Sequence, residues 1–205
     1  MYAPRHNREE DPVALLAFVR ENHFATLVTV GLGGLPRATH LPFVVRGGPE
    51  EPLTLIAHLA RANPQWEDFS EGKESLSIFQ GPHAYISPAH YERPLSVPTW
   101  NYIAVHLYGI PRILEAQDEK RRALDLLVAQ EEPGFAAQLA SYPTEVIDGK
   151  LRAIVAFEIP ITRVEARYKL SQDRTETERR TIIQSLSRSP AEVERGIAAA
   201  MAERP

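Results

Sequence analysis

The residues best suited to chemistry crowd into Gly81–Tyr102, GPHAYISPAHYERPLSVPTWNY, where Tyr85, Tyr91, Trp100 and Tyr102 stand beside His83 and His90. Pro82, Pro88, Pro94 and Pro98 punctuate the segment. Proline fixes φ and removes a backbone donor, so the stretch is expected to be a rigid loop and not one regular element. Aromatic rings held in such a loop offer flat stacking surfaces with phenol or indole donors. That is the inventory for a flat, polar ligand. The same rings would equally serve to cover a sheet edge, and the residues alone leave both readings open.

A second group lies at the ends of two expected strands. Thr39, His40, His58, Arg61 and Asn63, with Arg37 nearby, combine a hydroxyl, imidazoles, guanidinium groups and an amide. Such a set suits a phosphate monoester, and a helix start at Asn63-Pro64 would add free N–H groups. A third polar group, Lys169, Gln172 and Arg174 of KLSQDR, is of the kind that binds a phosphate or a ring edge. Five histidines fall between His40 and His106. No pair has the helical spacing of HExxH and no cysteine supplies a further ligand, so no metal site is expected. Rossmann, Walker A and GxSxG motifs do not occur.

The elements that would position these groups follow from the pattern along the chain. Asp11-Pro12 opens a helix to about His23. Phe24–Val30, Leu35–Val45, Leu53–His58, Ser75–Gln80 and Ile103–Leu114 read as strands, with a glycine turn at Gly31, Gly33 and Gly34 and a short helix from Pro64. Asp118–Gln130 is helical, and Pro133 starts a short helical piece ending near Tyr142. Ala153–Ile161 is a sixth strand. Capping boxes at Thr175 with Glu178, and at Ser189 with Glu192, announce two C-terminal helices, the second with Pro190 at its first position. Neighbouring strands joined by short turns predict a mostly antiparallel sheet or small barrel.

At 205 residues with 43% hydrophobic content the chain can build a full core. A formal charge of −4, with 23 basic and 27 acidic residues, disfavours direct DNA binding. The C-terminal helices mix arginine with glutamate, as a solvated face does. No cysteine, leader-like apolar run or membrane-length segment is present, so a cytoplasmic location with no membrane partner is expected.

Several segments together resemble the PaiB family of FMN-binding negative transcriptional regulators. They are MYAP at Met1–Pro4, ATHLPF at Ala38–Phe43, HLARANPQW at His58–Trp66, IFQGPHAYISP at Ile78–Pro88, VPTWNY at Val97–Tyr102 and KLSQDR at Lys169–Arg174. They run in family order across nearly the whole chain. Two departures are His90-Tyr91, where the family has a tryptophan-tyrosine pair, and Asp173, where it has asparagine. The second exchanges an amide donor for a carboxylate acceptor.

The resemblance implies a mainly β fold with peripheral helices (α+β): an FMN-binding split β-barrel, Greek-key-like and homodimeric. Residues 1–170 would form the barrel domain and 171–205 a C-terminal helical extension packed on it. It implies FMN as cofactor, held by Thr39, His40, His58, Arg61, Asn63, Trp100, Asn101, Lys169 and Gln172, with catalytic residues and any redox substrate unassigned. A flavin-dependent oxidoreductase-like or redox-linked regulatory protein is the expected function. The alternatives are a regulator acting without turnover and a haem-binding or haem-degrading split-barrel protein. DNA binding is implied by the family label alone.

Overall fold

A computed structural model describes every residue except Leu32, Pro94 and Pro205, and all described side chains but those of Ser70 and Glu71. Eight strands form one sheet: β1 Phe24–Val30, β2 Pro36–Pro42, β3 Val44–Arg46, β4 Thr54–Ala60, β5 Ser75–Ile86, β6 Thr99–Gly109, β7 Arg112–Ile113 and β8 Ile154–Lys169. Their order is β2-β1-β5-β6-β8-β4-β3, with β7 on β8. The antiparallel sheet expected from the short turns is present. Among the described residues six α-helices accompany it: α1 Pro12–Glu21, α2 Gln117–Glu131, α3 Ala136–Ala140, α4 Thr144–Arg152, α5 Glu176–Leu186 and α6 Glu192–Ala202.

The chain divides into two compact units, and β5, β6 and β8 each run from one into the other. The larger comprises Pro12–Phe79 and His106–Val164. Its β1–β2 hairpin is in register from Phe24 opposite Pro42 to Val30 opposite Pro36. Leu27, Phe43, Leu55, Phe79 and Phe157 are fully buried. Phe43 meets Phe79 at 5.8 Å between centroids, and Phe69 meets Phe157 at 4.9 Å. Leu139, Ile147 and Leu151 form a second apolar cluster under α2 to α4.

The smaller unit comprises Met1–Asp11, Gln80–Val105 and Glu165–Pro205. Its core is Ile86, Ile103, Leu170, Ile182, Ile197 and Met201. Arg179 donates to the carbonyls of Leu170 and Met201 at 2.7 and 3.0 Å, fastening the end of β8 to α6.

The structure differs from the sequence reading at several places, among them helix α4, which was not expected, and the strand expected at Ile103–Leu114, which ends at Gly109 and resumes as β7. The single strand expected at Leu35–Val45 breaks at Phe43, whose N–H donates instead to the His23 carbonyl at 2.9 Å while its ring enters the core. The segment expected to be a loop from Gly81 is strand as far as Ile86 and again from Thr99. Pairing with β1 ends at Ile78, so the missing N–H of Pro82 breaks no bond on that side. Among the four prolines of that segment, Pro94 lies outside the described residues. The last long strand extends to Lys169, eight residues past the expected end. The Thr175 capping box is present, with Glu178 N donating to Thr175 Oγ1 at 3.2 Å. The second box is not. The α6 helix starts at Glu192 with Ala191 as its cap, because Ser189 Oγ accepts from Ala191 N at 3.1 Å and donates to Glu194.

One close approach is decisive for the β6–β8 pairing in the larger unit. A Cβ on Gly109 would lie 2.2 Å from the Pro160 carbonyl oxygen and 2.7 Å from Ile159 Cγ2. The strand can come this near only without a side chain. Gly109→Ala is expected to destabilise the protein by about 1–3 kcal/mol, the usual range for overpacking. Urea unfolding of the two proteins checks it, and equal midpoints would refute the close contact.

Candidate functional site

Side chains alternate across a strand, and this sorts the first group of candidates. Thr39 and Arg37 lie on one face of β2, and His40 lies on the other. Thr39 Oγ1 donates to Gln65 Oε1 at 2.5 Å and accepts from Asn63 Nδ2 at 3.0 Å. Asn63 Oδ1 in turn accepts from Gln65 N at 3.0 Å, capping the 3-10 helix Pro64–Glu71. Gln65 is buried and donates through Nε2 to the carbonyls of Leu27 and Arg37, both at 3.2 Å. Nearby, buried Asp68 accepts from Thr29 Oγ1 at 2.7 Å and faces Arg37 at 3.4 Å.

His40 points to the opposite face, where Nδ1 meets Thr26 Oγ1 at 2.9 Å and the ring stacks on Phe24. Thr39 and His40 therefore present their polar groups to opposite faces of β2. His58 is half-buried on β4, and burial holds its imidazole below its ordinary value. Arg61 directs Nε to the Arg152 carbonyl and Nη2 to the Ile154 carbonyl, both at 3.2 Å, with its guanidinium 5.4 Å from the Trp66 ring centre. Thr39 and Asn63 are thus brought into direct contact, Arg61 has one edge of its fork on the backbone, and His40 is separated from them. Sequence reasoning missed Gln65 and Asp68. The signal available was two polar residues within the first turns of a helix flanked by apolar strands.

The second group, in the smaller unit, forms an exposed aromatic face. Trp100 on β6 stacks with His83 on β5 at 5.7 Å and 28°, and Tyr85 meets its edge at 6.2 Å. Trp100 is 47% exposed and Tyr85 48%. Lys169, at the end of β8, donates to the hydroxyl of Thr99, the residue before Trp100. Burial, reinforced by Arg167, holds its ammonium below the ordinary lysine range.

Asn101 and Gln172 are placed differently. Asn101 is fully buried, donating Nδ2 to Ser171 Oγ at 2.9 Å and to Met201 Sδ at 3.6 Å. Its Oδ1 has no hydrogen-bond partner among the described residues. Gln172 accepts from Leu170 N at 2.8 Å and donates to the Tyr168 carbonyl. Between them Ser171 adopts φ 57°, a left-handed conformation unusual for serine. The two amides thus brace the turn that follows Lys169. Beyond it, Arg174 lies 4.0 Å over the Tyr91 ring, and Asp173 pairs with Arg174 at 3.9 Å.

The depressed His58 pKa has a measurable consequence. The folded state binds the His58 proton less well than the unfolded state does. Its effect on stability is therefore nil well above the ordinary value of 6.5 and grows as pH falls below it. Unfolding free energy is expected to drop on acidification below that value, and His58→Gln is expected to flatten that part of the profile. Superimposable profiles for the two proteins would show that His58 is not desolvated.

These arrangements can be set beside known proteins. Residues 1–163 match the family model described as "Putative FMN-binding domain". The chain is 38% identical over 191 residues to Protease synthase and sporulation protein PAI 2 of Bacillus subtilis, covering 91% of this chain and 89% of that protein. Among solved structures it is similar to the flavocytochrome Anf3 from Azotobacter vinelandii, with a TM-score of 0.63 at 15% identity over 82% of this chain and 72% of the other. It is also similar to the FAD and heme binding protein from Mycobacterium smegmatis, with a TM-score of 0.59 at 19% identity over 78% and 72%. These two share its fold, the split β-barrel. The chain belongs to the FMN-binding domain family that contains the PAI 2 protein, and its cofactor class is flavin.

Proposed function

We propose that the flavin is FMN and that a cytoplasmic homodimer binds it. The observation that carries this reading is the aromatic face of His83, Tyr85 and Trp100, on which Tyr85 and Trp100 stay nearly half exposed. Leu95 and Val97, in the loop before β6, are 99% and 73% exposed. A lone monomer would leave this apolar surface in water, whereas a second copy and an isoalloxazine ring would cover it. Lys169 beside Thr99 adds a cation of low hydration, fit for an anionic or carbonyl edge of the ligand.

For the phosphate, Arg61 supplies the charge, with Thr39, His58 and Asn63 as polar neighbours along the same chain segment and strand end. This group favours FMN over riboflavin, because a charge-assisted bond to phosphate is worth about 1.5–3 kcal/mol. Flavin supplies the electron chemistry, and the protein binds and orients it. The name of the PAI 2 relative refers to protease synthesis and sporulation. It favours a regulatory role here, which a flavin would link to redox state, with turnover on a small substrate as the competing reading. Steady oxidation of NADH or NADPH by the flavin-loaded protein would favour turnover, and its absence would favour regulation.

Two substitutions test the two groups separately. Arg61→Ala is expected to weaken FMN about tenfold or more, with little effect on riboflavin. Equal loss for both flavins, in calorimetric titrations, would remove Arg61 from the phosphate. Trp100→Phe keeps a ring but loses indole area and its N–H. It is expected to lower flavin affinity and to abolish most flavin-dependent quenching of tryptophan fluorescence. Unchanged affinity and quenching would show that the indole is remote from the ring. Light scattering at micromolar protein is expected to give the mass of a dimer, and a monomer would contradict the assembly.

A further inference from the structure

The end of β8 in the smaller unit carries cations that the flavin reading does not account for. Ala166 and Tyr168 enter the core, so Arg167 and Lys169 point to the other face. Arg8 is the antiparallel bridge partner of Arg167, and residues directly opposite in such a pair put their side chains on one face. Two arginines thus stand side by side, with Lys169 at the next position of that face. Their hydrogen bonds go to neutral oxygens. Arg8 Nε donates to the Ala3 carbonyl at 2.9 Å, Arg167 Nη1 to the Tyr2 carbonyl at 3.1 Å and Lys169 to the Thr99 hydroxyl. Among the described residues none of the three forms an ion pair, and Arg167 Nε has no hydrogen-bond partner. The nearby carboxylates are taken, Glu165 by the Met1 amine and Asp173 by Arg174. The Tyr2 and Tyr102 rings flank the Arg167 guanidinium, with centres 5.6 and 5.3 Å from its carbon.

Like charges directly opposite on paired strands repel one another and lower stability. The Arg167 charge also adds to the burial that depresses the Lys169 ammonium. An anion relieves both effects, and a cation would be repelled. A monocarboxylate would neutralise only one of the two arginines. A phosphate monoester carries about two negative charges at neutral pH on three acceptor oxygens, and guanidinium groups match that geometry. The Tyr2 ring, 79% exposed, offers a stacking face to a flat ring beside it. We propose that Arg8 and Arg167, with Lys169 adjoining them, bind the phosphate of a nucleotide-like ligand, a phosphate monoester joined to a flat ring. That this is a second phosphate, distinct from that of FMN, rests on the assignment of the FMN phosphate to Arg61.

The test titrates the flavin-free full chain with adenosine 5′-monophosphate in a calorimeter, with adenosine and acetate as controls. Saturable binding with a Kd of about 1 mM or tighter is expected for a ligand of this size. Adenosine and acetate should each bind at least about tenfold more weakly, since each lacks one part of the match. Arg8→Gln, an exposed substitution, should weaken the nucleotide about tenfold while leaving the melting temperature unchanged. The same variant should keep the parent's ratio of FMN to riboflavin affinity, and the FMN-loaded parent should bind the nucleotide as tightly as the flavin-free chain does. No saturable binding, acetate binding as tightly as the nucleotide, or full nucleotide affinity in Arg8→Gln would overturn the site. Displacement of FMN by the nucleotide, or a lower FMN to riboflavin ratio in Arg8→Gln, would put the flavin's own phosphate on these arginines and overturn the second phosphate. Failure of FMN to bind would sink the flavin reading and leave the nucleotide titration as it stands.

Discussion

The buried amide of Gln65 is the contact on which the end of the barrel near β1 and β2 depends. Leu27 and Arg37 present backbone carbonyls there, and Gln65 Nε2 satisfies both while its Oε1 receives the Thr39 hydroxyl. β2 is an edge strand in the sheet order, so nothing else in the ladder would hold its outer carbonyls. Removing such an amide would leave several polar groups buried and unpaired, at a cost of about 1–3 kcal/mol each. Asn63 and Pro64 make the arrangement local, because capping fixes the helix start two residues before Gln65. Arg37 and Thr29 extend it to Asp68. Thr39 and Asn63 are thus held in one rigid arrangement.

The smaller unit uses the same device with a different result. Asn101 and Gln172 hold the turn around Ser171, and Arg179 ties that turn to the end of α6. The polar atoms turned inward keep backbone positions fixed. Those turned outward, at Trp100 and Tyr85, keep nearly half of their surface free. The side chains brace the fold from within and leave an aromatic face partly exposed.

Much of the fold was legible because the relevant signals are local. The Thr175 box needs only four residues, and the β1–β2 hairpin needs a glycine turn between β-branched runs. The same locality misled at Ser189, where Pro190 imitated a helix start while the serine bonded its own neighbour two residues on. Helix α4 was missed because Gly149 weakens a nine-residue pattern that Ile147 and Leu151 stabilise only by packing. Within the site, strand alternation already separates Thr39 from His40. The inward turn of Asn101 was not readable, since it depends on Ser171, 70 positions away and left-handed. Polar residues in a shared motif can recognise a ligand or brace the turn that presents it, and spacing alone does not separate the two.

The central claim is that this protein binds FMN on an aromatic face. Its most direct measurement is an absorbance and fluorescence titration of the purified protein with FMN. The account predicts a structured, shifted flavin band and quenched flavin emission, saturating at one FMN per chain. An FMN spectrum unchanged from that in buffer at every protein concentration up to about 100 μM would contradict it, because stacking on an indole in a desolvated site perturbs both signals.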